Sequence, residues 1–205
     1  VGKSFQTGQD NAKQWANLFF PSGEKTTPNV MPKSIARPTP KQAPYAPNIT
    51  IPYSQTGEPY QVPENIAQPI LNAFNDINQA TNAATVLNHP PMLSPISGKT
   101  TYGENASFKT ANIDIPNNDG SIDRGLFRIN SNTFNGMLQD PFWGKAMQKY
   151  GINNWDDMMD LQKNAFMARL IYQRQGWGAW VAAPPKLIEQ GAPDLAYLSK
   201  LMGGN

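Results

Sequence analysis

The chain has 205 residues and a formal charge of +2, with 39% hydrophobic but only 16% charged residues. This length suits one well-buried domain with additional segments, and 19 prolines indicate a mixture of folded and extended parts. Lysine and arginine are scattered, so we expect no nucleic-acid partner. The absence of cysteine excludes disulfides and thiol nucleophiles. No apolar run approaches the roughly 18 residues that a membrane span needs.

The first predicted element is a short amphipathic helix over residues 4–20. Its apolar residues recur at helical spacing, and the sequence Pro21-Ser-Gly ends the pattern. Such a helix either packs on the protein's own body or docks on a partner, and the sequence leaves both readings open. The apolar positions are Phe5, Ala12, Trp15, Leu18 and Phe19.

Residues 21–63 hold roughly half of all the proline in the chain. Proline fixes its own φ, lacks a backbone donor and pushes the preceding residue into extended conformations. We therefore predict an extended proline-rich arm over residues 1–63, with the short helix at its start. It is either a linker or an arm that lies along a partner's surface, and its apolar residues favour the arm. These residues are Tyr45, Ile49, Ile51, Tyr53 and Tyr60.

Residues 64–100 are predicted to form one amphipathic helix, over about residues 64–88, and a connector. Apolar residues step by three or four positions, and Pro69 falls in the first turns, where proline is tolerated. The sequence His89-Pro-Pro ends the helix. The stepping residues are Ile66, Ile70, Phe74, Ile77, Ala80, Ala84 and Leu87.

Residues 101–205 have the aromatic content and turn sequences of a packed domain. The sequence Asn117-Asn-Asp-Gly-Ser predicts a small β-hairpin. Asp140 followed by Pro141 predicts a helix start, and Gly151 its end. A further helix is predicted over residues 155–175, ended by Gly176. The predicted fold is mainly α with a small β-hairpin, preceded by the extended proline-rich segment and a helix.

Carboxylates are the residues best suited to carry chemistry in this chain. The single histidine, His89, has no evident nucleophilic partner and is interpreted as a helix-end residue. No histidine or acidic cluster has metal-ligand spacing, so neither a metal nor a cofactor is predicted. Among the few glutamates only Glu104 lies just upstream of an acidic turn, which contains Asp119 and Asp123. Paired carboxylates of this kind cleave glycosidic bonds.

Two sequence blocks resemble known enzymes. The block Asp119-Gly-Ser-Ile-Asp-Arg-Gly-Leu-Phe-Arg-Ile-Asn-Ser131 resembles the hairpin signature of animal-type lysozymes. Its part Gly125-Leu-Phe-Arg-Ile-Asn130 is similar to the Gly-Leu-Met-Gln-Ile signature of soluble lytic transglycosylases. The second block, Ala168-Arg-Leu-Ile-Tyr172 followed by Ala179-Trp-Val-Ala182, resembles a lysozyme helix and the segment after it. Together the blocks indicate a member of the lysozyme-like superfamily with a lysozyme-like α+β fold.

The resemblance implies roles for individual residues. Glu104 takes the place of the general acid, Asp123 that of the second carboxylate, and Asn130 that of its supporting asparagine. Trp180 matches the tryptophan that packs against the catalytic glutamate and raises its pKa, a case for which lysozyme is the standard example. The implied substrate-binding residues are Asp119, Asn130, Trp177, Ala179 and Trp180.

Simpler interpretations of these residues stay open. The two aspartates could serve only as turn formers, and the two tryptophans could be ordinary core residues. The sequence before Glu104 also departs from the family, because Pro95-Ile-Ser-Gly-Lys-Thr-Thr-Tyr-Gly103 is a poor helix former. We therefore expect the helix that should bury Glu104 to be missing or displaced.

The implied function is cleavage of the β-1,4 bond between N-acetylmuramic acid and N-acetylglucosamine in peptidoglycan, by a lysozyme or a lytic transglycosylase. The arrangement resembles bacteriophage virion-associated peptidoglycan hydrolases. This implies a place in a phage tail or virion, action in the bacterial periplasm or cell wall, and contacts of residues 1–100 with other virion or tail proteins. The alternative is a catalytically inactive lysozyme-like structural or assembly protein of a virion or envelope machine.

Overall fold

The computed structural model describes residues 48–52, 58–101, 103–105, 108 and 114–193. The helix predicted over residues 4–20 and most of the proline-rich zone lie outside this part of the chain. The described residues form a mixed α+β fold, roughly half helical, with small antiparallel sheets. The strands are β1 (Thr50–Ile51), β2 (Tyr60–Gln61), β3 (Met92–Leu93), β4 (Thr100–Thr101), β5 (Asp114–Pro116), β6 (Ile122–Arg124) and β7 (Ile129–Asn130). The α-helices are α1 (Glu64–Phe74), α2 (Ile77–Leu87), α3 (Ser131–Gln139), α4 (Pro141–Lys149), α5 (Leu161–Gln175) and α6 (Pro185–Ile188).

The end of the proline-rich zone is extended, but it belongs to the protein's own core. Strands β1 and β2 pair antiparallel, and Ile49 and Ile51 are fully buried. The two isoleucines share one face because side chains alternate along an extended strand. The ring of Tyr60 stacks on that of Phe108, with centroids 5.8 Å apart. The prediction that these isoleucines lie along a partner's surface is therefore wrong, while Tyr45 and Tyr53 lie outside the described residues.

The single helix predicted over residues 64–88 is two helices. Asn75 ends α1 in the left-handed region with φ of 52°, a conformation that asparagine tolerates better than most residues. Asp76 then caps α2, since its side chain accepts a hydrogen bond from the backbone N–H of Gln79 at 2.8 Å. The apolar spacing continues across the break because both helices bury a face in the same core.

Helices α1 and α2 share one core with the second half of the chain. Phe74 of α1 stacks on Trp177, with ring centroids 5.7 Å apart. Arg169 of α5 donates from Nη1 to the carbonyl oxygen of Ala73 at 2.6 Å, at the end of α1. The domain boundary that we predicted between residues 100 and 101 therefore falls inside one hydrophobic core.

The predicted β-hairpin is present. Strands β5 and β6 flank the turn at residues 117–121, and β7 adds a third antiparallel strand. Gly120 has φ of 81°, which glycine adopts without strain, and Asp119 accepts a hydrogen bond from the backbone N–H of Ser121 at 3.0 Å. The register pairs Asp123 with Asn130, so this sheet brings two predicted site residues side by side.

The predicted helix boundaries after the hairpin are largely confirmed. Asp140 caps α4 by accepting from the backbone N–H groups of Phe142 and Trp143, and α5 ends at Gly176. The helix predicted over residues 155–175 differs, because its first turns form a separate 3-10 helix, Trp155–Met159. Asp160 is extended and caps α5 through the N–H of Lys163. Among the described residues, no helix has the length and apolar character of a membrane span.

Candidate active site

A cleft of about 270 Å³ brings most of the predicted site residues together. Its lining draws on the loop after β4, the β6–β7 hairpin, the last turn of α5 and the segment that follows α5. These elements are far apart in sequence and meet only in the folded chain. The predicted residues in the lining are Glu104, Asp123, Asn130, Ala179 and Trp180.

The end of α2 positions Glu104. The backbone N–H of Glu104 donates to the carbonyl oxygen of Val86 at 3.0 Å. The backbone N–H of Asn105 donates to the carbonyl oxygen of Leu87 at 2.9 Å. These two carbonyls lie in the last turn of α2 and have no partner within the helix. The β3–β4 hairpin separates this helix end from Glu104 in sequence. The helix that ends against Glu104 is therefore Ile77–Leu87, and not a helix in the sequence immediately before Glu104.

Gly103 makes this approach possible. Its φ is 92°, and a Cβ at this position would overlap the carbonyl oxygen of Leu87. Only glycine adopts this conformation without strain and leaves room for the helix end. Position 103 therefore requires glycine, because any side chain there would collide with the end of α2.

The Glu104 carboxyl group is partly buried in the cleft wall. Its Oε1 accepts a hydrogen bond from the backbone N–H of Ala182 at 3.2 Å. Burial raises the pKa of Glu104 above its ordinary value, because it penalises the charged form. The Ala182 bond lowers the pKa, the negative charge of Asp123 raises it and the positive charge of Arg128 lowers it, and the net direction is upward. A raised pKa favours the protonated form, which is the form that a general acid uses.

Asn130 holds Asp123 in place. Its Nδ2 donates to Oδ1 of Asp123 at 2.8 Å and to Oγ of Ser121 at 2.9 Å. Its Oδ1 accepts from the backbone N–H of Asn132 at 2.9 Å, which also caps α3. The cap fixes which end of the amide faces the helix, so the donor end faces the carboxylate. Asp123 is thus held by a side chain whose own orientation is fixed.

Trp180 forms an apolar wall of the cleft. Its indole N–H donates to the carbonyl oxygen of Phe127 at 2.9 Å, which ties the segment after α5 to the hairpin. The ring packs edge-on against Phe127, with centroids 6.3 Å apart. Glu104 and Trp180 line the same cleft.

The structure places two predicted substrate-binding residues elsewhere. Trp177 is fully buried in the core, where it stacks on Phe74 and Tyr172. Asp119 lies in the hairpin turn, where its carboxylate accepts from the backbone and hydroxyl of Ser121. Neither residue lines the cleft. For these two, the simpler interpretations as core residue and turn former describe what is seen.

The sequence reasoning missed Arg128, which also lines the cleft. Arg128 has φ of 52°, unusual for a residue other than glycine, and its backbone N–H closes a turn onto Gly125 at 3.2 Å. Its positive charge acts on both Glu104 and Asp123. A charged residue within the otherwise largely apolar run at residues 126–129 was the available indication. Thr133, Gln175 and Val181 also line the cleft and carried no comparable indication.

Replacing Arg128 with methionine should raise the pKa of Glu104 further. The positive charge of Arg128 stabilises the Glu104 carboxylate, so its loss favours the protonated form. NMR titration of the glutamate side-chain carboxyl carbons, assigned with Glu104→Gln, measures this pKa. The exposed Arg174, replaced by methionine in the same way, is the matched control and should leave it unchanged. An unchanged or lower pKa in Arg128→Met would contradict the assigned role of the charge.

No family model, curated protein or solved structure matches this chain significantly. The part of the chain that the structure describes contains no group of three or more histidine, aspartate or glutamate side chains suited to hold a metal ion.

Proposed function

We propose that this protein cleaves the β-1,4 bond between N-acetylmuramic acid and N-acetylglucosamine in peptidoglycan. The observation that carries the proposal is the convergence of two carboxylates, Glu104 and Asp123, in one cleft with Trp180 as an apolar wall. Glycosidases break such bonds with a pair of carboxyl groups that flank the bond. We also propose that the mixed α+β fold is lysozyme-like.

In the proposed reaction, Glu104 is the general acid. It gives its proton to the oxygen of the leaving sugar as the glycosidic bond breaks, and its raised pKa keeps that proton available. Asp123, held by Asn130, stabilises the positive charge that develops on the other sugar or orients the attacking water. Addition of water to that sugar then completes hydrolysis and returns the proton to Glu104.

A lytic transglycosylase is the alternative form of the same activity. There, Glu104 first donates its proton to the leaving oxygen, and a hydroxyl of the muramic acid residue then attacks the carbon at which the glycosidic bond broke, in place of water, and gives its own proton to the Glu104 carboxylate. The product is an anhydro-sugar, and this route needs only one glutamate. The position of Asp123 in the cleft favours hydrolysis, because Asp123 can support the water route.

The experiment that tests the proposal is digestion of purified peptidoglycan, followed by mass spectrometry of the soluble products. A hydrolase adds one water for each bond cut, whereas a transglycosylase adds none. Either series of disaccharide-peptide products supports the proposed function, and the masses separate the two routes. Absence of any soluble sugar product would contradict it and favour the inactive structural protein.

The inactive alternative relied on the poor helix-forming sequence before Glu104. The end of α2 nevertheless positions Glu104, although it is distant in sequence, and this favours the active enzyme. We also propose that the protein is carried in a phage tail or virion, where it acts on the cell wall and where residues 1–100, apart from the buried Ile49 and Ile51, contact other virion proteins. Only the order of segments along the chain supports this setting. Mass spectrometry of purified virions tests it directly.

A further inference from the structure

His89 is buried and lies against the segment that contacts Glu104. Only 1% of its surface is exposed, and it follows shortly after α2. Its Nδ1 lies 2.6 Å from the carbonyl oxygen of Pro90, and its Nε2 lies 2.5 Å from that of Ala182. A carbonyl oxygen can only accept, so both ring nitrogens of His89 face acceptors, and the contact with Ala182 is a hydrogen bond in the tautomer that carries its hydrogen on Nε2. The only histidine of the chain therefore links the start of the β3–β4 hairpin to the segment after α5.

Ala182 connects His89 with Glu104. Its carbonyl oxygen accepts from His89, and its backbone N–H donates to Oε1 of Glu104 at 3.2 Å. One residue earlier, the carbonyl oxygen of Val181 accepts from Oγ of Ser94 at 2.7 Å. Side chains from residues 89–94 thus hold two successive carbonyls of the segment that lines the cleft. This fixes where the Ala182 N–H points.

We propose that His89 is a positioning residue, which holds Ala182 so that its N–H meets the Glu104 carboxyl group. His89 does not line the cleft and touches no reacting atom. It acts through one hydrogen bond to a backbone carbonyl, and without that bond Ala182 is held less firmly against Glu104, while Ser94 still anchors Val181. The catalytic part of this inference rests on the proposed function, whereas the positioning of the carboxyl group does not.

Two substitutions at position 89 distinguish the effect of the hydrogen bond to Ala182 from the effect of side-chain volume. His89→Gln extends an amide donor about as far as Nε2 and can still reach Ala182, whereas the shorter His89→Asn cannot. The Ala182 bond lowers the pKa of Glu104, so its loss should raise that pKa. We expect His89→Asn to raise it by about 0.5 or more, which corresponds to the loss of part of one hydrogen bond. The pKa of Glu104 in His89→Gln should lie between its value in His89→Asn and its value in the wild type.

The readouts are NMR titration of the Glu104 carboxyl carbon and the kinetics of peptidoglycan cleavage. For His89→Asn we expect kcat to fall about tenfold, with KM within about twofold, because a displaced acid affects the chemical step more than binding. Arg169→Met is the matched control, since it removes another buried bond to a backbone carbonyl, that of Ala73. It should lower stability and leave the pKa of Glu104 unchanged.

The outcomes separate this inference from the proposed function. A raised Glu104 pKa in His89→Asn, smaller in His89→Gln, supports positioning even if the wild type cleaves no peptidoglycan. A folded His89→Asn that titrates like the wild type would overturn it, as would an equal shift in Arg169→Met. If His89→Asn does not fold, His89→Phe takes its place, because it keeps the bulk of the ring without a donor, and an unchanged Glu104 pKa in that variant would equally overturn the inference.

Discussion

Glutamine in place of Glu104 should lower the rate of peptidoglycan cleavage by about a thousandfold or more, because a neutral amide has no proton to give to the leaving oxygen. Glutamine has nearly the same shape, and its carbonyl oxygen can still accept the N–H of Ala182. Binding of insoluble peptidoglycan should therefore be retained. Turbidity loss of a peptidoglycan suspension measures the rate, and co-sedimentation measures binding.

The matched control for this substitution is Glu189→Gln. Glu189 is exposed just beyond α6 and does not line the cleft, so the same chemical change there should leave the rate unchanged. Equal rates for Glu104→Gln and the wild type would remove Glu104 from the mechanism. Loss of binding together with rate would instead show that Glu104 is needed to hold the substrate.

Asn164→Ala should destabilise the fold more than most single substitutions. The Asn164 side chain donates to the carbonyl oxygens of Arg124 and Met158, at 3.1 and 2.9 Å, and accepts from the N–H of Phe127 at 2.9 Å. Alanine leaves all three backbone groups buried without this partner, at about 1–3 kcal/mol for each group. We expect the free energy of unfolding to fall by roughly 3 kcal/mol or more.

Chemical denaturation measures this loss. Asn153→Ala is the control, because the Asn153 side chain bonds the carbonyl oxygen of Gly151 at an exposed position. It should cost less than about 1 kcal/mol, since water replaces an exposed hydrogen bond. Similar losses of unfolding free energy in Asn153→Ala and Asn164→Ala would contradict the stabilising role of the three buried hydrogen bonds of Asn164. Because Asn164 bonds residues on both sides of Gly125, its loss should also displace the turn that carries Arg128.

Local features were predictable from the sequence because short-range chemistry determines them. The turn at residues 117–121 needs a glycine with positive φ and an aspartate that bonds its own backbone, and both are visible in the sequence. Asp140 with Pro141 is likewise a local helix start. Asp123 and Asn130 were assigned through the resemblance, and the hairpin register pairs them.

Features that depend on distant contacts were not predictable in the same way. Nothing adjacent to Glu104 shows that the end of α2 lies against it, because the β3–β4 hairpin intervenes. Trp177 and Trp180 are only three residues apart, but Trp177 stacks on Phe74 of α1 in the core, whereas Trp180 lines the cleft. His89 appeared to be a helix-end residue because Ala182, its partner, lies in the opposite half of the chain.

The helix break at Asn75 and Asp76 had a local indication that the apolar periodicity concealed. Asparagine in the left-handed region followed by a capping aspartate is a common way to end one helix and start another. The spacing of buried residues nevertheless continued through the break, since α1 and α2 face the same core. Hydrophobic periodicity reports which face is buried, and it does not report whether the backbone is continuous.

We propose that burial in this cleft keeps Glu104 protonated, so that it can act as the acid. The dependence of the wild-type cleavage rate on pH tests this most directly. A general acid works only while it carries its proton, so the rate should fall as the pH rises through the pKa of Glu104. Because that pKa is raised, we predict that the fall begins clearly above the ordinary glutamate value of 4.5. A rate that already falls at or below pH 4.5 would contradict the claim.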